Sequence, residues 1–229
     1  MGVHDGHRQR VKERFRKEGL DSFNDINVLE FLLFYCVPRI DTNELAHRLL
    51  DTFGSFSGVL DAPIEELEKV KGMGSSAATF LSFVSAVSRY YHVEQGKAGK
   101  IANDLDDCAK LLVPKFMGRR DELVYLLCMD PKGKVICCRL IGEGTVCSTN
   151  ISVRKVAEVA LAVNATSVIL AHNHPNGLAV PSVEDVQTTL LIAKSLKALD
   201  IALVDHIVVA GDKYASMVGS KMLRPEDLG

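Results

Sequence analysis

The stretch AHNHPNGLAVPSVED, residues 171–185, stands between two unlike patterns. Before it, TSVILA is a short apolar run rich in β-branched residues, which predicts a buried strand. After it, SVEDVQTTLLIAKSLKALD predicts a long helix opening near Ser182. A strand that hands over to a helix through Pro175, Gly177 and Pro181 is a joint of a layered α/β or α+β domain. His172 and His174 are two apart where the strand ends, so both imidazoles leave the backbone on the same side. Asp185, three residues into the helix, comes back toward them if the loop turns sharply. Two imidazoles and one carboxylate, with a fourth position left for water, form the donor set of a catalytic zinc ion, because four protein ligands would leave no place for solvent. Zinc lowers the pKa of its water toward neutrality and polarises a carbonyl, so amide cleavage at neutral pH then needs only one nearby base.

Working outward, a helix is expected at about 104–117, followed by ELVYLLCMD and KVICCRLIG around the turn formers Asp130, Pro131 and Gly133, which read as a β-hairpin. SVRKVAEVALAVN is a further helix and IALVDHIVVA a further strand. Residues 4–95 are of another kind. INVLEFLLFY, ELAHRLLDTF and FLSFVSAVSRYY carry apolar residues at helical spacing, with no strand-like alternation. Asp61 before Pro63, with Glu65 and Glu66 next, predicts a helix start, and that helix runs to about Lys71. Gly-Lys-Ala-Gly-Lys at 96–100 separates the two patterns. The expected organisation is thus a helical domain at 1–95, a linker at 96–103 and a second domain at 104–229.

At 229 residues, with 47% hydrophobic and 24% charged residues, the chain has the composition of a folded globular protein of about two domains. The apolar runs near Phe31 and Ile169 are broken by charge or histidine too early to span a bilayer, and HDGHRQRVKERFRKEG lacks the apolar core of a secretion signal. A cytoplasmic location is expected. Cys36, Cys108, Cys128, Cys137, Cys138 and Cys147 form no C-x-x-C pair, and read as reduced structural thiols. The net charge of −2 is spread evenly, with 13 basic against 14 acidic residues up to Lys100, so neither half is a strongly basic nucleic-acid binder. Arg8, Arg10, Lys12, Arg14, Arg16 and Lys17, against the single acid Glu13, read as a solvated helix face rather than a phosphate-binding arm.

His-x-His, seven residues, then Ser-x-x-Asp, here His172, His174, Ser182 and Asp185, resembles the signature of the JAMM (MPN-type) metalloproteases, which also have a Glu upstream. The wording HNHPNG followed by PSVED, together with IALVDHIVVAGDKYAS and the helical first half, resembles the bacterial RadC family over nearly the whole chain. The resemblance implies a mixed sheet flanked by helices, preceded by a small all-α domain. It implies His172, His174 and Asp185 as ligands of one zinc ion, Ser182 steadying an oxyanion, and an upstream general base. Glu122, at the head of the first strand, best matches that base, with Glu143 in IGEGTV as its rival. Ser182 has a second reading, since Ser-x-x-Asp opening a helix is also a capping box. Proteolytic members that cut ubiquitin-like chains carry Ser or Thr between the histidines; this chain has Asn173, which RadC-like chains share. Asp205 and His206, in an apolar strand, read as hydrogen-bonded support rather than as ligands.

In LEKVKGMGSSAATFLSFV, the segment Lys71-Gly72-Met73-Gly74 between two helices resembles the hairpin of helix-hairpin-helix DNA-binding domains. Glycines admit a phosphate to the backbone, N–H groups opening the second helix donate to it, and Lys71 adds charge, so contact with DNA would be weak, sequence-independent and salt-sensitive. The same glycines also make a plain interhelical turn, and the expected first hairpin, CVPRIDTN, has no glycine. Three functional classes follow. The first is a zinc-dependent hydrolase of peptide or isopeptide bonds, the second a DNA-binding or repair-associated protein whose metal domain is structural or acts on nucleic acid, and the third a catalytically silent interaction module.

Overall fold

The computed structural model describes residues 3–38, 41–95, 101–102, 104–144, 151–175 and 177–228. They fall into two compact units, Met1–Ser88 and Arg89–Gly229. The expected linker at 96–103 lies mostly outside the described residues. Its residues Ile101 and Ala102 are tied to the turn after the first strand, Ile101 bridging Lys134 and Ala102 N donating to Gly133 O at 3.0 Å.

The first unit is helical throughout its described residues: α1 (Val3–Glu18), α2 (Asp25–Cys36), α3 (Thr42–Phe53), α4 (Phe56–Leu60), α5 (Ile64–Glu68) and the start of α6 (Ser75–Gln95). Side-chain caps set three of the starts. Asn24, Asp41 and Ser55 accept from backbone N–H groups of the first turns of α2, α3 and α4, which otherwise lack partners. Leu29, Leu33, Leu45, Leu49, Leu67 and Leu81 meet in the middle of this unit and are fully buried. Asp61 does not open a helix: it closes α4, and Pro63 precedes α5 with no side-chain cap. That helix stops at Glu68, where Val70 N bonds to Leu67 O at 3.1 Å and Met73 N to Val70 O at 2.9 Å, three-residue turns leading into Gly72 at φ +100°. The basic run on α1 is more than a solvated face. The Arg8 and Arg14 guanidinium groups lie 5.1 and 4.1 Å from the ring centres of Phe34 and Phe23, and Lys12 Nζ is 5.6 Å from that of Tyr35.

The second unit contains α7 (Leu105–Leu112), β1 (Glu122–Met129), β2 (Val135–Gly144), α8 (Val153–Ala162), β3 (Ser167–Asn173), α9 (Val183–Lys197), β4 (Ala202–Ala210), β5 (Lys213–Ser216) and α10 (Pro225–Leu228). The helix expected over 104–117 is shorter, because Pro114 has no N–H to continue it and the chain tightens into a 3₁₀ turn at Val113–Lys115. The strands form one mixed sheet in the order β2-β1-β3-β4-β5, in which β3 and β4 are parallel and every other pair is antiparallel. Asp130 accepts from the N–H groups of Lys132 and Lys134 and so shapes the β1–β2 turn. Helices α8, α9 and α10 cover one face of the sheet through Val156, Ala160, Ile192, Leu196 and Leu228, packed on Leu126, Val168, Leu170 and Val208. On the other face α7 packs Cys108, Leu111 and Leu112 against Leu123, Leu127, Ile169, Ala171 and Ile207. This is the mixed α+β domain with an all-helical region before it that the sequence predicts.

Among the described residues no helix is long and apolar enough to cross a membrane. Cys36, Cys108, Cys128, Cys137 and Cys138 are free thiols, and Cys147 lies outside the described residues.

Candidate metal centre

Strand β3 is central in the sheet, with β1 on one side and β4 on the other, so its apolar residues are enclosed on both faces. At its end His172 pairs across to Val124 of β1 and alongside Val208 of β4, on the face that α9 covers. His174 lies one residue past the strand, but its N–H still donates to Val209 O at 2.8 Å, which keeps the backbone extended and its ring on the side of His172. The two ring centres are 4.8 Å apart and the Nε2 atoms 3.0 Å. The loop then folds back over His174: its Nδ1 is 3.0 Å from Leu178 O, and a Cβ at Gly177 would come within 3.2 Å of His174 Cβ. A side chain there would make the loop or the histidine give by a few tenths of an ångström.

Ser182 is the N-cap of α9 and forms a capping box with Asp185. Its Oγ accepts from Asp185 N at 3.1 Å and donates to Asp185 Oδ2 at 2.7 Å, and Ser182 N donates to the same oxygen at 2.8 Å. The hydroxyl proton is thereby committed to Asp185, and the box aims the carboxylate at the histidines. Asp185 Oδ1 is 3.4 Å from His172 Nε2, and Oδ2 is 3.8 Å from His174 Nε2. Burial acts to raise the Asp185 carboxyl, but the hydrogen bond and charge of His172 and the bonds from Ser182 outweigh it and hold the group well below its ordinary value.

The donor atoms fit a metal ion. Bonds of about 2.0–2.2 Å to imidazole nitrogen and carboxylate oxygen give a zinc tetrahedron edges of about 3.3–3.6 Å. The two Nε2 atoms are 3.0 Å apart, Asp185 brings Oδ1 to 3.4 Å of His172 and Oδ2 to 3.8 Å of His174, and one donor atom from each residue lies within 4.8 Å of the other two, close to what one ion requires. His172, His174 and Asp185 are the one such group of histidine, cysteine and acidic side chains among the described residues, and His174 is only partly buried.

Glu122 opens β1, two residues from Val124 and so on the same face as His172. Burial pushes its carboxyl above the ordinary value against the pull of His172 and His174. Glu143 pairs with Leu123, which faces α7; it is therefore on the opposite face of the sheet, and exposed. Asn173, between the histidines, points away from them. Its Oδ1 accepts from Leu123 N at 2.8 Å and its Nδ2 donates to Asp121 O at 3.2 Å, which clamps the head of β1 to the end of β3. His206 lies behind His172, with Nε2 at 2.8 Å from His172 Nδ1, and is pushed well below the usual imidazole value by burial and then by His172. Asp205 belongs to the other face and accepts from Ser216 Oγ, from His206 N at 2.7 Å and from Val218 N at 3.1 Å. Thr189, which sequence reasoning passed over, touches His206 Nδ1 at 2.6 Å. The signal for it was a polar residue four places after Asp185 on the face of a helix that is otherwise apolar there. Lys71, Gly72 and Gly74 are exposed on the turn between α5 and α6 in the first unit.

A mixed sheet flanked by helices, with His172, His174 and Asp185 gathered at the end of its central strand, has the form of a JAB/MPN-type domain. Residues 102–222 match the family described as "RadC-like JAB domain". The chain is 31% identical over 220 residues to UPF0758 protein FN0909 of Fusobacterium nucleatum subsp. nucleatum, covering 93% of this chain and 95% of that one. It is 34% identical over 203 residues to UPF0758 protein SPO0054 of Ruegeria pomeroyi, covering 89% and 91%. The chain belongs to the RadC family.

Proposed function

We propose that this chain is a zinc-dependent hydrolase of peptide or isopeptide bonds, with His172, His174 and Asp185 as ligands, Glu122 as general base and an acyl compound as substrate. The observation that carries the reading is that the buried donor group faces a carboxylate whose affinity for protons is raised, on the adjacent strand. A site meant only to hold a structural ion has no use for that carboxylate. When bound, the ion supplies Lewis acidity toward a carbonyl oxygen and toward water.

The remaining work falls to the protein. Glu122 takes a proton from the attacking water and passes it to the leaving nitrogen, and its raised affinity brings it closer to neutral pH, where a base both accepts and returns protons. Ser182 orients Asp185. To steady an oxyanion as well, its hydroxyl has to turn from Asp185 toward the substrate, so Ser182→Ala tests two roles at once: lost zinc reports the first, and lost turnover with zinc retained reports the second. The test of the function is zinc-loaded protein incubated with peptide and isopeptide-linked substrates, with Glu122→Gln as control. Cleavage by the parent chain alone supports the proposal; equal cleavage by both chains rejects the role of Glu122.

A further inference from the structure

Behind the donor group, Thr189 and His206 are both fully buried, and their hydrogen bonds leave one way to place the protons. The Asp185 main-chain carbonyl can only accept, so the Thr189 hydroxyl, 2.6 Å away, donates its single proton there rather than to the weak acceptor Met217 Sδ at 3.6 Å. His206 Nδ1 is 2.6 Å from the same hydroxyl oxygen and must be the donor in that contact. A neutral imidazole carries one N–H, so His206 Nε2 keeps a lone pair, and His172 Nδ1 at 2.8 Å donates to it. The other histidine reaches the same state independently. Leu178 O can only accept, so His174 Nδ1, 3.0 Å from it, bears the proton. The two Nε2 atoms, 3.0 Å apart and with Asp185 Oδ1 3.4 Å from that of His172, then need a cation between them: a proton on His172 Nε2, which gives Asp185 its hydrogen bond, or a metal ion in that proton's place.

We propose that Thr189 and His206 are positioning residues that set the tautomer of His172, so that both histidines offer Nε2 lone pairs to a cation held with Asp185. The use of the relay rests on the metal reading above; the proton placement rests on the hydrogen bonds alone. Asp185 anchors both ends, because its carbonyl receives the proton of Thr189 while its carboxylate lies beside the Nε2 atoms. Ligand histidines commonly donate their second N–H to a carboxylate, carbonyl or water, and here a second imidazole takes that place. The Thr189 hydroxyl forces that imidazole to be an acceptor because its own proton is tied to a carbonyl. The acid next to it in sequence, Asp205, is turned to Ser216 and Val218 and takes no part.

The test reads the imidazole nitrogens of the full chain by ¹⁵N nuclear magnetic resonance, zinc-loaded and metal-free, and measures zinc affinity by chelator competition. The expected result is that His206 and His172 carry protons on Nδ1 and that His206 Nε2 is bare. Thr189→Val, which keeps the shape and removes the hydroxyl, is expected to weaken zinc binding about 10- to 100-fold and to disturb the His206 signals, with Thr189→Ser restoring both. A proton on His206 Nε2 in the parent chain overturns the proposal, and so does a valine variant with parent-like affinity and signals. If the parent chain takes up no zinc, the metal reading fails, while the nitrogen signals of the metal-free chain still decide the relay.

Discussion

In the helical unit, the buried acid stands apart: Glu30, 1% exposed, meets His7 Nε2 at 3.0 Å and Asn43 Nδ2 at 3.4 Å. In the sheet unit, by contrast, His172, Asp185, Thr189 and His206 form one connected group at the end of the central strand, with Asn173 joined to the neighbouring strand beside them. Each buried polar group costs desolvation, and a lone acid next to a surface partner is an ordinary structural solution. A cluster whose members leave lone pairs turned toward one point is not. The comparison locates function by how buried polar groups connect, rather than by how many there are.

Changes at the donors should have the largest effect. Elemental analysis should find about one zinc per chain in the parent and almost none after His172→Ala, His174→Ala or Asp185→Asn, since two remaining ligands hold the ion poorly. Glu30→Gln, the helical unit's buried acid, should leave zinc unchanged; unchanged zinc in folded His174→Ala would remove the distinction. Next is Glu122→Gln, expected to keep zinc and lower hydrolysis by a factor of about 100 to 10,000, while Glu143→Gln, on the far face, retains parent rates. If only the second change mattered, the base would be the wrong glutamate and the reaction the right one.

Leu170→Ala and Leu45→Ala, each removing a fully buried side chain, should cost about 2–5 kcal/mol in denaturant unfolding. Only the first, two residues before His172, should also lower zinc affinity; an equal loss from both would mean the units do not differ as described. The smallest effect is expected at the helical turn. Any binding of DNA should be weak, indifferent to sequence and reduced by salt, and Lys71→Ala should lower the salt slope by about one. Gel-shift titrations with an unchanged slope would exclude Lys71 as a contact.

Much of the sheet unit was legible because its signals are local. A β-branched run ending in His-x-His, and a helix opening on Ser182, need no knowledge of distant residues. What escaped depends on long-range pairing. The extra residue Val204 in β4, where Val168 pairs with Leu203 but Ile169 with Asp205, interrupts the period of two, so that Leu203 and Val208 pack on the same face and alternation alone misplaces them. Strand β5 is four residues long and exists through its pairing with β4, which composition does not announce. Asp61 resembled a cap because Asp before Pro often is one, yet its place at the end of α4 depends on where Ser55 had begun that helix. Ser182 showed two roles in sequence, and only the bonds to Asp185 display the capping one.

The clamp made by Asn173 has a further consequence. Glu122 and the histidines stand on neighbouring strands pinned together beside the site, so their separation follows from the spacing of a β-ladder, about 4.7–4.9 Å between strands. The loop that follows holds His174 Nδ1 through the main-chain carbonyl of Leu178, a bond that does not depend on which side chain stands there. Its sequence is therefore free to diverge, apart from the glycine that leaves room for His174, and a chain of this kind can change what it admits to the site without retuning the atoms that act there.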